Sequence, residues 1–321
     1  MRAYITRRLL LLIPTLFFLT ILVFLALRFI PGDVIDAMIG IGGGYFGGDH
    51  DTREALISAL GLDVPLHVQY VRWVGGMVLH GTLGSSLYGD ALTIEEQILR
   101  RLPATLELGL LAIAIGLVIA LPVGIYSAIR RNTAADYAGR TVAIVGLATP
   151  NFWLGVMVTV FPAIWWNWTP PVRMIALSDD LLGNLGVFMI PSLILGTYFA
   201  AATMRMTRTM MLEVLRQDYV RTAWSKGLRE RVVVLRHAIT NALIPVITLT
   251  GLQLPILVGG SVIMENIFNL PGIGRLLLDA LLERDYPMVS GINLVFATGV
   301  LVINLVVDLL YGFLDPRVRY A

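Results

Sequence analysis

Long apolar stretches alternate with shorter polar links along this chain. A run of about 20 residues with few charges is what an α-helix needs to cross the hydrocarbon core of a bilayer. Six such runs are present: 9–30, interrupted only by Arg28, then 108–129, 141–166, 186–204, 242–264 and 288–307. The last five contain no Asp, Glu, Lys or Arg. Arg2, Arg7 and Arg8 precede the first run, as they would in a secretory leader. Its apolar part is too long for a leader, and the sequence Ile30-Pro31-Gly32-Asp33 offers no small-residue cleavage site, so it predicts an uncleaved anchor helix. Pro122, Pro150, Pro162, Pro191, Pro245 and Pro255 fall inside the runs. A membrane helix tolerates proline where neighbouring helices or water satisfy the freed carbonyl, so the pattern predicts a bundle of kinked, packed helices.

The links differ in character. Residues 31–107 form a long loop that opens on a glycine-rich stretch, 40–48, which lacks the Gly-Lys-Ser/Thr ending of a phosphate loop and reads as a linker. Three amphipathic segments follow at 52–60, 66–79 and 94–102, with Pro103 marking entry to the second span. Trp165, Trp166 and Trp168 cluster at one end of the third span, where indole rings favour the headgroup zone. The link 205–241 is polar and basic, and too long for a tight turn. A helical pattern extends the fourth span across 204–220, and a second short helix is expected over 228–239. Between them Gly227 permits a sharp bend. Thr222, Ala223 and Ser225 are small, so another protein could approach this segment closely.

Composition agrees with the pattern. Apolar residues make up 57% and charged residues 14%, and the mean hydropathy is +0.78. A soluble globular chain has about 45–50% apolar and about 25% charged residues. A soluble enzyme, a secreted disulfide scaffold and a disordered chain are therefore excluded. The absence of cysteine removes disulfides, thiolate metal sites and cysteine nucleophiles. A net charge of +2 is too small to suggest a nucleic-acid partner. Its distribution is more informative: residues 1–8, 130–140, 205–241 and 308–321 carry 16 basic and 6 acidic residues, and the rest of the chain carries 8 basic and 16 acidic. By the positive-inside tendency the basic side faces the cytoplasm, with both termini inside.

Ionisable residues at the ends of spans are the candidate pathway groups. They are Glu107, Arg205, Arg208 and Asp308, each weighed against an ordinary interfacial ion pair. The four histidines, His50, His67, His80 and His237, show no metal-ligand spacing on one helix face, and no catalytic set is present.

Residues 218–228 (Asp-Tyr-Val-Arg-Thr-Ala-Trp-Ser-Lys-Gly-Leu), continuing through Arg236, His237 and Asn241 to Pro245, resemble the coupling loop of permease subunits in ATP-binding-cassette importers, in the dipeptide, oligopeptide and nickel branch. The general signature is Glu-Ala-Ala, three residues, then Gly. Ala223 and Gly227 hold here, Arg221 and Thr222 replace Glu-Ala, and Trp224 is bulkier than the family norm. The resemblance extends over nearly the whole chain: residues 7–33, the outer-loop set Asp63, Pro65, Gln69, Tyr70, Arg72 and Trp73, residues 101–108, 265–275 and 284–287, Asn304 with Asp308, and 313–317.

The resemblance implies an all-α, six-span membrane permease of the type I importer class in a bacterial or archaeal plasma membrane. Its expected organisation is an N-terminal segment and first helix (1–30), an extracytoplasmic loop region (31–107), a five-helix core (108–314) containing the coupling loop 205–241, and a cytoplasmic tail (315–321). The ATPase-coupling residues would be Tyr219, Val220, Arg221, Thr222, Ala223, Trp224, Ser225, Lys226 and Gly227. The implied partners are a second, homologous permease, two cytoplasmic ATPase subunits that bind ATP and Mg, and an external substrate-binding protein. No cofactor is implied for this chain. Peptide is the default cargo, with nickel chelate, glutathione or oligosaccharide as alternatives. An ion-driven transporter would more often show internal repeats and several charges within its spans. A membrane-embedded enzyme would need a motif such as His-Glu-x-x-His, which the chain lacks.

Overall fold

The computed structural model describes residues 2–28, 57, 63–87, 92–171 and 174–314. The glycine-rich stretch and the segment 315–321 lie outside the described residues, as does the 52–60 helix except for Ile57. The described residues are helical, with no strand among them. The helices are α1 (Arg2–Arg28), α2 (Leu66–Gly75), α3 (Ile94–Ile129), α4 (Ala134–Ala148), α5 (Asn151–Trp166), α6 (Leu181–Val214), α7 (Asp218–Ser225), α8 (Ile239–Ile267), α9 (Ile273–Glu283) and α10 (Tyr286–Leu314). A single turn, Glu230–Val232, and a π-helical segment, Val233–Ala238, lead into α8. Five helices are long and apolar enough to cross a membrane, or six if the bent pair α4–α5 is one span.

The boundaries depart from the sequence pattern in four places. The third run, 141–166, is not one kinked helix. It is two helices meeting at 90°. Thr149 is extended (φ −88°, ψ 119°) and Pro150, itself extended, is the N-cap of α5; a proline ring disfavours helical geometry in the residue before it. Pro103, by contrast, ends nothing: α3 runs unbroken through it for 36 residues. The buried positions Ile94, Ile98, Ala104, Leu108 and Ala112 keep to one stripe across it, and that burial outweighs the single amide lost at proline. At its far end α6 stops at Val214, short of residue 220. Residues 215–217 form a turn and Gln217 is extended (φ −70°, ψ 149°) before α7 begins. The helix expected over 228–239 is instead the root of α8, entered through the π segment.

Two compact units divide the chain. One comprises Ala104–Gly274 with both chain ends, and its core is built from α3, α6 and α8, including Leu108, Phe188, Leu195, Phe199 and Met264. Here α3 and α6 touch backbone to backbone. A Cβ at Gly196 would stand 2.8 Å from the Ala112 carbonyl, and one at Gly124 2.8 Å from the Met204 carbonyl. Small residues at such crossings are how membrane helices gain packing contacts without a hydrophobic driving force. The other unit comprises Thr6–Pro103 with Arg275–Leu301. In it Phe24 of α1 stacks against Tyr70 and Trp73 of α2, and the Thr20 and Tyr70 hydroxyls are 2.8 Å apart. Asp285 caps α10 by accepting from the Met288 N–H at 3.1 Å, and it also accepts from the Ser86 hydroxyl at 2.6 Å.

Candidate functional site

The candidate coupling segment is an eight-residue helix seated on its own chain. On α7, Val220 and Ala223 are buried against Val233, with Val214 and Leu215 beside them. Their spacing, i and i+3, puts both on one face of the helix. The small size of Ala223 therefore serves an internal seat. The rest of the helix is exposed: Tyr219 and Trp224 flank the seat, and Arg221, Thr222 and Ser225 lie away from it, with Lys226 and Gly227 following. Thr222 and Ser225 turn their hydroxyls back to the Asp218 and Arg221 carbonyls, at 2.9 and 3.1 Å. Arg221 pairs only loosely with the exposed Asp218, at 3.6 Å. Gly227 ends the helix at φ +74°, and its N–H donates to the Trp224 carbonyl at 2.9 Å. Nothing lies within 4 Å of a Cβ placed there, so conformation and not space selects glycine.

The four pathway candidates part company. Arg205 is exposed on α6, and Asp308 is half-buried on α10. Glu107 on α3 has its Oε1 buried with no hydrogen-bond partner. Arg208 is drawn into a polar clasp: its Nε is 2.8 Å and its Nη2 3.0 Å from the two carboxylate oxygens of Asp136. The Ser127 hydroxyl and the Asn132 N–H also donate to Asp136. Asp136 lies in the polar link ahead of the apolar run. The Arg208 guanidinium, with help from Ser127 and Asn132, holds its carboxyl far below the ordinary carboxylate range despite burial.

Asp136 was not among the candidate groups, and two further buried acids also escaped the sequence reading. Asp285 is one, and Glu265 at the end of α8 is the other. The Thr105 hydroxyl donates to Glu265 Oε1 at 2.7 Å and accepts from the Ile273 N–H at 2.9 Å. Glycines make room for the carboxylate. A Cβ at Gly272 would fall 2.1 Å from its carboxyl carbon, and one at Gly274 2.9 Å from Oε2. Glu265 sits one residue beyond the uncharged run 242–264, so a search for charge inside spans passed it by. The signal that could have found it is Pro271-Gly272-x-Gly274, a chain reversal close behind an acid at a span end.

These features define a helical membrane protein in which a short surface helix sits between the ends of the long helices α6 and α8. The sequence profile of the binding-protein-dependent transport system inner membrane component family matches residues 120–320, and the chain belongs to that family. It is 38% identical over 343 residues to the dipeptide transport system permease protein DppB of Escherichia coli strain K12, covering 100% of this chain and 99% of that protein. It is 38% identical over 326 residues to the oligopeptide transport system permease protein AppB of Bacillus subtilis strain 168, covering all of both. It is 41% identical over 340 residues to the di/tripeptide transport system permease protein DppB of Pseudomonas aeruginosa, covering 100% of this chain and 99% of that one. Among solved structures it resembles the MetNI methionine ABC transporter in an inward-facing conformation, with a TM-score of 0.55 at 17% identity over 69% of this chain and 97% of that one. It also resembles an amino acid ABC transporter solved with histidines, with a TM-score of 0.50 at 14% identity over 70% of this chain and 94% of that one. At those identities the likeness concerns the fold.

Proposed function

We propose that this chain is one permease subunit of an ATP-driven importer of short peptides. It lines half of the translocation path with a second, homologous permease, and two cytoplasmic ATPase subunits bind ATP and Mg. An external binding protein delivers the cargo. Both termini and the 205–241 segment face the cytoplasm. Full-length similarity to peptide permeases from three bacteria supports the cargo class. The single observation that carries the coupling role is α7, a short helix that seats Val220 and Ala223 on its own chain and exposes its outer face, joined to the long helix α6 by the turn 215–217 and to α8 through Glu230–Val232 and the π segment.

The mechanism follows from that placement. The exposed residues of α7 enter a cleft on an ATPase subunit. Closure of the two ATPases on ATP moves α7, and the apolar seat of Val220 and Ala223 carries the motion to the roots of α6 and α8. Their tilt opens the path to one side or the other, a rigid-body form of alternating access. ATP shifts this equilibrium only to the extent that the cleft grips α7 unequally in the two states.

The test is uptake of a radiolabelled casein digest into proteoliposomes. The complete importer is expected to require both ATP and the binding protein. Peptide movement by the purified chain without the ATPases sinks the reading, and so does labelling of cysteines placed in 205–241 from the external side.

A further inference from the structure

We propose that Asn241 is a positioning residue that ties α7 to the root of α8, so that displacement of the coupling helix is read by that span as well as by α6. Its side-chain amide donates to the Tyr219 hydroxyl oxygen of α7 at 3.0 Å and to the His237 carbonyl, one turn back on its own helix, at 3.0 Å. The Tyr219 hydroxyl also faces that carbonyl, at 3.5 Å. One amide thus joins two helices that are otherwise held together here by the apolar seat of Val220 and Ala223 on Val233.

The π segment Val233–Ala238 explains why the tie exists. In an α-helix, positions eight apart are rotated from one another by about 80°. Val233 and Asn241 are eight apart, yet both face α7, one in the seat and one in the tie. A π turn holds an extra residue per turn, and that extra residue takes up the rotation. The seat alone is a greasy contact around which α7 could roll. The tie, displaced from it along α8, blocks that roll and fixes the lever. This inference rests on the coupling role of α7.

The experiment uses the reconstituted importer with its binding protein and a casein digest, and reads the ratio of peptide-stimulated to basal ATPase rate. Asn241→Ala is expected to lower that ratio about fivefold, the factor carried by one exposed hydrogen bond of about 1 kcal/mol. Tyr219→Phe is expected to lower it similarly. Asn241→Ala/Tyr219→Phe should fall no further than either single change, because the two groups form one contact. An unchanged ratio in Asn241→Ala overturns the proposal, as does a double variant that falls by the product of the two single losses. The chain has no cysteine, so Ser225→Cys carrying a benzophenone maleimide reports separately on docking of α7. Cross-linking to the ATPase together with an unchanged ratio overturns the tie alone. Absence of cross-linking in the Ser225→Cys chain with Asn241 and Tyr219 intact overturns the tie and the coupling role together.

Discussion

Arg208 of α6 closes a forked pair on Asp136 of α4, with its Nε and Nη2 each bonded to a different carboxylate oxygen. Asp136 is fully buried, and the Arg208 side chain is 17% exposed. Ser127 of α3 donates to the same carboxylate, so three helices are pinned at one point. In this structure the Arg208 guanidinium is fully engaged by Asp136 and Ser127. Breaking a buried pair from one side costs about 3–5 kcal/mol where the charge is left uncompensated; here the more exposed Arg140, 3.4 Å from Asp136, offsets part of that loss.

Arg208→Ala is therefore expected to lower the thermal stability of the detergent-solubilised chain sharply. Replacing both partners, Asp136→Leu with Arg208→Met, should recover much of the loss. The two melting temperatures measured side by side decide it. Equal losses in the single and double variants contradict the assignment.

The same pair fixes a pH dependence. The carboxyl of Asp136 is held below its ordinary range, so its stabilisation is fully present above the unfolded-state value and lost only as acid protonates the folded carboxylate. The stability gap between wild type and Asp136→Asn is expected to stay flat from about pH 5 to about pH 8 and to narrow only in stronger acid. A gap that closes near neutrality contradicts this.

Glu265 and Thr105 make a second prediction. Thr105→Ala removes a donor to a buried carboxylate and an acceptor for the Ile273 N–H, at about 1–3 kcal/mol for a buried group left unpaired. Thr105→Ser keeps the hydroxyl and should stay close to wild type. Gly272→Ala should be worse than either, because its Cβ collides with the carboxylate and the loop must move. Folded yield and thermal stability in detergent rank the three.

Gly227 and Ala223 should fail for different reasons. Gly227 has open space around it but sits at φ +74°. A side chain there costs about 1 kcal/mol of backbone strain. Gly227→Asn is expected to retain more peptide uptake than Gly227→Val, since Asn visits the left-handed region readily. Ala223→Glu drives a charge into the seat under α7 and is expected to abolish uptake and peptide-stimulated ATPase activity while the spans remain folded. Unchanged uptake in both Gly227→Val and Ala223→Glu removes this segment from the coupling path.

Asp285 and Ser86 give a test within the other unit. Asp285 caps α10 and takes the Ser86 hydroxyl. Asp285→Ala is expected to cost about 1–2 kcal/mol from the cap alone, and Ser86→Ala about 1 kcal/mol. Asp285→Asn should preserve part of the cap. Thermal unfolding of the three variants measures it.

The local pattern alone determines the helical class and most of the apolar spans, because uncharged length is readable one residue at a time. Gly227 was legible as a bend, because a left-handed position favours glycine, but the helix ahead of it was not, and the first helix starts at Arg2 rather than at residue 9. Only the tertiary structure decides what a residue faces. Pro150 breaks a helix and Pro103 does not, because buried neighbours continue across the second. Ala223 points inward because Val233 lies beneath it, and Arg208 is paired because Asp136, 72 residues away in sequence, meets it across a helix crossing. Glu265 is held because two glycines fold a loop around it. Partners distant along the chain leave no mark on local periodicity, so burial, pairing and strain at these sites belong to the fold.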